Sequence, residues 1–328
     1  MKIRDRLTVR TLFEEQKKQL KLRNVNGVDG KDREVAANRI ICPGLLLAGF
    51  KEHFDAHAIQ ILGHQELKYL KHLKRDDRTH VINQLLKFRI PCIIVTDGLT
   101  APKEVVESSK QRGVPVLSSR LKQCNLVHRL LDYIEIKTAP YVYVHGTLVD
   151  VYGIGILFTG KSGIGKSETA LDLVDRGHRL VADDVIKITK REEHILMGQG
   201  KEPIDFFHSY LEIRGIGVVD LSRVFGVRAT RLHKRVEVEV SLVKWGEKVD
   251  IERTGLEERT KKILGVAIPY RIIPLLPGKN ISVLSEMVAL EHLLKLYAID
   301  TPKVFNKRLL ALMKKKSMQF AQLDQDKE

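Results

Sequence analysis

The sequence predicts an α/β protein of two domains: an N-terminal α/β domain with a parallel sheet, then an α/β domain containing a phosphate loop and ending in helices. Three observations predict it. Strand-like and helix-like segments alternate through about residue 135, as in a parallel sheet with helical crossovers. A stretch from Gly155 to Asp184 reads as buried strand, glycine-rich turn, helix and second strand. From Ser285 onward the apolar spacing is helical. KTAP, within residues 136–140, interrupts the alternation, because proline and the residue before it resist helix. The expected domains are therefore 1–135 and 136–328.

In chain order, Leu20–Val25 is short and β-compatible, and Ala58–Leu62 is an apolar run followed by helical material through Leu73. Helical spacing follows over Asp76–Phe88, a buried strand over Cys92–Thr96, and a helix over Val105–Arg112. Val114–Leu117 is another short strand and Cys124–Asp132 another helix. None of these segments carries a glycine fingerprint or metal-ligand spacing, so this half announces no chemistry. Tyr141–Gly160 holds two β-rich runs in hairpin fashion, joined through His145–Gly146 and through Tyr152–Gly153. His233–Trp245 alternates around Val236, Val238 and Val240, the pattern of a strand with one solvated face. A β-compatible run over Ile268–Leu276 precedes helices over Met287–Tyr297 and Pro302–Phe320. The last helix has an apolar stripe (Val304, Phe305, Leu309, Leu312, Met313) with lysines outside it.

The totals narrow the class. The 328 residues are 43% hydrophobic and 30% charged, enough for substantial soluble cores. No apolar run approaches a membrane span, and MKIRDRLTVR lacks a signal-peptide core. Cys42, Cys92 and Cys124 have no metal or redox spacing, so reduced, buried thiols in a cytoplasm are expected. The formal charge of +15 is spread along the chain, densest at Lys71–Arg78, Arg231–Arg235 and Lys314–Lys316. It admits nucleic acid, an acidic protein or a polyanionic substrate as partner.

The turn after GILFT fits G-x-x-x-x-G-K-[ST] through Gly160, Lys161, Ser162, Gly163, Ile164, Gly165, Lys166 and Ser167. Its glycines allow positive φ, so backbone N–H groups can curl around phosphate oxygens at a helix N-terminus. Lys166 can reach the β- and γ-phosphates, and the Ser167 hydroxyl can ligate Mg²⁺. Asp183 and Asp184 end the next strand, where ligands gather in open α/β sheets. One of them can hold Mg²⁺ while the other accepts the proton of an attacking hydroxyl. We assign Asp184 as the base and Asp183 as a supporting carboxylate, a choice that strand alternation alone does not fix. His145 is either a proton or phosphoryl handler or a polar turn residue. Glu212 either completes a Mg²⁺ shell or partners Arg214, and Arg253 can neutralise phosphate charge.

Taken in order, VHG (144–146), the stretch from Gly160 to Asp184, LEIRGIGVVD (211–220), ERTG around Arg253 and PLLPGK (274–279) resemble the HPr kinase/phosphorylase family. That family phosphorylates a serine of the phosphocarrier protein HPr and can reverse the modification. The resemblance covers the whole C-terminal half, and it implies a protein-serine kinase on a phosphate-loop scaffold using ATP (or pyrophosphate) and Mg²⁺. It implies His145, Lys166, Asp184 and Arg253 as catalytic residues, and Ser167 and Glu212 as Mg²⁺ ligands. Leu211, Ile213, Arg214 and Gly215 belong to the loop serving both directions; Pro274, Pro277, Gly278 and Lys279 belong to the loop needed for dephosphorylation. It further implies a homohexamer, with the last helix either packed on its own domain or docking HPr or a neighbouring subunit.

Two departures stand out. Lys161 replaces the acidic residue common after the first loop glycine, and Leu276 and Lys279 replace arginines of P-V-R-P-G-R. Arginine grips phosphate bidentately and leucine does not, so weakened reversal is expected. The competing readings are a nucleotide-dependent regulator or ATPase associated with nucleic acid, for which no zinc-finger, RRM or basic-zipper signature is present, and a small-molecule kinase.

Overall fold

Two units make up the chain, one ending at Pro140 and the other starting at Tyr141. The computed structural model describes residues 6–36, 39–201, 209–246, 254–276 and 278–325, with side chains through residue 314. Among the described residues no helix is long and apolar enough to cross a membrane.

The first unit holds α1 (Val9–Gln16), β1 (Leu22–Asn24), β2 (Ile40–Ile41), α2 (Gly44–Leu47), β3 (Ile59–Leu62), α3 (His64–His72), α4 (Arg75–Leu85), β4 (Ile93–Val95), α5 (Lys103–Gln111), β5 (Val116–Ser119) and α6 (Gln123–Thr138). Its sheet has the order β1-β5-β4-β3-β2 and is parallel except for β1. Strand residues alternate between two cores. Ile61, Cys92 and Ile94 pack with α1 and α6, while Leu62, Ile93 and Val95 pack with α2 through α5. Burial on both faces explains why these strands read as short continuous apolar runs. The helix expected to stop at Asp132 continues to Thr138, because Tyr133 and Ile134 extend its buried face.

The second unit begins with β6 (Tyr141–His145), β7 (Thr147–Val151), β8 (Ile154–Thr159), α7 (Lys166–Asp175), β9 (Arg179–Ala182), β10 (Val185–Arg191), β11 (Ile195–Gly200), β12 (Tyr210–Ile213) and β13 (Gly217–Asp220). It continues with α8 (Leu221–Val224), β14 (His233–Arg235), β15 (Val238–Lys244), β16 (Thr260–Ile263), β17 (Val266–Leu275), α9 (Ile281–Leu296) and α10 (Thr301–Gln325). A six-stranded sheet, β16-β17-β15-β8-β7-β9, carries parallel β8, β15 and β17 at its centre. An antiparallel sheet, β14-β11-β10-β6, packs on one face of it through Leu148, Leu157, Val181, Ile186 and Ile188. Helices α7 and α9 cover the other face through Phe158, Leu173, Val240 and Ala289.

Several expectations change here. β7 and β8 form the expected hairpin, but β6 pairs with β10 in the other sheet. The chain crosses between sheets at Gly146, where a Cβ would run into the carbonyl oxygen of Phe158. The His233–Trp245 strand is two strands, β14 and β15, one in each sheet. β15 has no solvated face at its centre: Val238 and Val240 pack in the core with α7 and α9, and Glu239 on the other face is fully buried beside Thr159 and Lys261. Only Cys92 is a buried thiol; Cys42 and Cys124 are exposed. The stripe on α10 is exposed, Phe305 by 66% and Leu312 by 61%, so it does not pack on its own domain.

Candidate active site

The loop between β8 and α7 takes its shape from glycine. Gly160, Gly163 and Gly165 have φ of 146°, 72° and 105°, a region that side-chain-bearing residues rarely adopt. At Gly160 a Cβ would also stand 2.6 Å from the Leu242 carbonyl oxygen of β15. Gly165 caps α7 without a side-chain hydrogen bond, which leaves the first-turn amides available to an anion. Lys166 folds back across the loop, its Nζ donating to the carbonyls of Gly160 (3.4 Å) and Lys161 (3.2 Å). Behind the loop, Thr159 Oγ1 donates to Glu239 Oε1 (2.7 Å), which Lys261 Nζ also meets at 2.6 Å.

The two adjacent aspartates go separate ways. Asp183 turns to the loop: its Oδ2 accepts from Ser167 Oγ (2.8 Å) and its Oδ1 from buried Thr147 Oγ1 (2.5 Å). Asp184 has φ of 65°, a strained left-handed conformation for a non-glycine residue. That bend ends β9, starts β10 in the other sheet and leaves the Asp184 side chain 85% exposed. His145, the last residue of β6, stands beside it. Its Nδ1 lies 3.2 Å from the Asp184 carbonyl oxygen and 3.6 Å from the carboxylate Oδ1. Gly146 N donates to the same carbonyl (3.1 Å). Both sheet crossings, β6 to β7 and β9 to β10, thus meet at this site.

The β12–β13 hairpin supplies the opposite wall by strand alternation. Leu211 and Ile213 are buried in the core beside α7. Glu212 and Arg214, on the other face, line the cleft, and the Arg214 guanidinium lies against Gly163 where a Cβ would otherwise sit. Gly215 turns the hairpin with φ of 85°. A cleft of about 140 Å³ brings together Lys166, Ser167, Asp183, Asp184, Glu212 and Arg214. Pro274 lies in β17, and the turn after it is closed by Lys279 N donating to Leu276 O (3.1 Å). Because β17, β15 and β8 are parallel, that turn and the phosphate loop occupy the same edge of the sheet. Arg253 and Pro277 lie outside the described residues.

The donor set fits Mg²⁺. One hydroxyl and the carboxylates of Asp183 and Glu212 are hard oxygen ligands on one cleft. Among the described residues no group of three or more His, Cys, Asp or Glu side chains makes a metal cage. Such a sparse set suits an ion that keeps water and phosphate oxygens in its shell. Sequence reading did not single out Thr147 and Glu239. Thr147 stood beside the VHG motif, but its partner lies 36 residues away.

Comparison with known proteins gives a consistent result. Residues 7–134 match the family described as HPr Serine kinase N terminus, and residues 136–309 match HPr Serine kinase C-terminal domain. The HPr kinase/phosphorylase of Prosthecochloris aestuarii is 45% identical over 294 residues, covering 89% of this chain and 86% of that protein. The HPr kinase/phosphorylase of Geobacillus kaustophilus is 41% identical over 291 residues, covering 89% and 93%. The solved structure of the HPr(Ser) kinase/phosphatase from Coxiella burnetii is similar at 36% identity, with a TM-score of 0.43, over 50% of this chain and 98% of that one.

Proposed function

The chain belongs to the HPr serine kinase family, and from that membership we propose that it phosphorylates a serine of the phosphocarrier protein HPr and reverses the modification by phosphorolysis. ATP (or pyrophosphate) places its terminal phosphates on Gly160–Ser167, where loop amides and Lys166 offset their charge. Ser167, Glu212 and Asp183 would hold Mg²⁺. Held there, it would supply positive charge to offset the negative charge that builds on the phosphates during transfer.

Asp184 lines the same cleft as the loop and is open to solvent, where a serine from another protein can approach. It accepts the seryl proton as the hydroxyl oxygen attacks the γ-phosphorus, the P–O bond to ADP breaking in line. In reverse, inorganic phosphate attacks the phosphoseryl phosphorus, the seryl oxygen leaves with a proton from Asp184, and pyrophosphate is the product. His145, on the carbonyl of Asp184, holds that residue in place, and Arg253 stabilises charge on the transferring group. Residues 136–328 form the catalytic domain in this reading, and the protein works in the cytoplasm. The observation that carries the reading is the division of labour between Asp183, tied to Ser167, and Asp184, facing outward beside His145.

The exposed apolar faces of α9 and α10, including Met287, Leu294, Phe305 and Leu312, suit burial between copies in a homohexamer. Light scattering at six chain masses is the expected result.

The kinase reading is tested by incubating γ-labelled ATP, Mg²⁺ and HPr with the parent chain and single variants. Asp184→Asn lowers label transfer about 10²- to 10⁴-fold while nucleotide affinity stays. Asp183→Asn instead raises the Mg²⁺ concentration required, and Lys166→Ala weakens ATP use. Full-rate transfer by folded Asp184→Asn would sink the assignment. Label released as free phosphate in a DNA-dependent manner would favour the nucleic-acid reading.

A further inference from the structure

The first unit carries a cleft of about 950 Å³ that takes no part in this chemistry. It opens beyond the carboxyl ends of β3 and β4, adjacent parallel strands, the edge at which open α/β sheets take ligands. On α3, His64, Leu67, Lys68 and Lys71 recur at three- and four-residue steps, so they share one face, and all four line the cleft. Across from them stand the Gly98–Thr100 loop and Lys103, the first residue of α5.

The charge is one-sided. Arg78 donates to Glu104 Oε1 (3.0 Å), and those two lining charges offset each other. Lys68, Lys71 and Lys103 are exposed and form no ion pair among the described residues. His64 and Lys103 also open their helices, at the end of the dipole where a negative group is favoured. Leu67, Leu99, Ala101 and Pro102 add an apolar wall, and the volume is of small-ligand size rather than an extended stripe.

We infer that this cleft binds a small phosphate-bearing anion with at least two negative charges. The site is separate from the kinase reading and does not depend on it.

Hydrogen exchange on the full chain tests it, with inorganic pyrophosphate and glucose 6-phosphate as probes. At least one probe slows exchange over His64–His72 and Lys103–Gln111. In the Lys68→Glu/Lys71→Glu double variant the concentration needed rises about tenfold or more. Both lysines are exposed, and an unchanged urea midpoint shows that the variant is folded. Three results overturn the inference: neither probe slows these helices in the parent, the slowing is the same in the variant, or only a DNA duplex produces it. Occupancy of the phosphate loop registers separately, over residues 160–167, so failure here leaves the kinase reading intact.

Discussion

Glu286 is clamped by two residues from one short stretch of chain. Arg176 donates to both of its oxygens (3.0 and 2.6 Å), and His178 Nε2 lies 3.0 Å from Oε1, tying the end of α7 to α9. The Arg176 guanidinium holds the Glu286 carboxyl down to about 2, below its ordinary 4.5. A depressed folded value stabilises the protein above the unfolded one, so this contribution is complete above about pH 4.5 and is lost as pH falls toward 2. Glu286→Gln therefore lowers the urea midpoint at pH 7, and the gap to the parent closes by about pH 2. An equal gap at both pH values would refute the linkage. Single residues were legible unevenly. Lys166, Ser167 and the Asp183–Asp184 pair declared themselves by spacing, and LEIRG placed Glu212 and Arg214. Thr147 and Glu239 did not, because a buried hydroxyl or carboxylate is explained only by a partner on another strand.

Among elements, β8, the phosphate loop, α7 and β9 could be read directly, since an apolar strand, glycines and an amphipathic helix are all local signals. Sheet membership could not be read. The run through His145 looks like one hairpin until Gly146 is seen against the Phe158 carbonyl. Likewise, Val236 is buried between strands that alternation had fused into one. The turn after β17 has its own consequence. It shares an edge with the phosphate loop yet offers Leu276 where a phosphate-gripping arginine is expected from the family pattern. Leu276→Arg raises pyrophosphate release from phospho-HPr about ten- to a hundredfold relative to kinase turnover. Equal rates for parent and variant would show that this position does not limit reversal.

At the scale of the molecule, each core draws its residues from one unit: positions up to 134 supply the first pair and positions from 142 onward the second. Residues 1–140 made alone should unfold cooperatively in urea, with a slope of about 1–3 kcal/mol/M. A gradual, featureless melt would contradict that. The α/β class was visible because it is a property of local pattern, whereas the second sheet rests on long-range pairing that no local window reports. The two crossings at His145–Gly146 and Asp183–Asp184 make the apolar filling between the sheets a spacer. The phosphate loop rides on one slab alone, while Asp184, the proposed proton acceptor, straddles the seam, so in that reading the gap from donor phosphorus to incoming oxygen is geared to slab separation. Shaving that filling, as in Ile186→Val, should slow turnover while ATP is gripped as before.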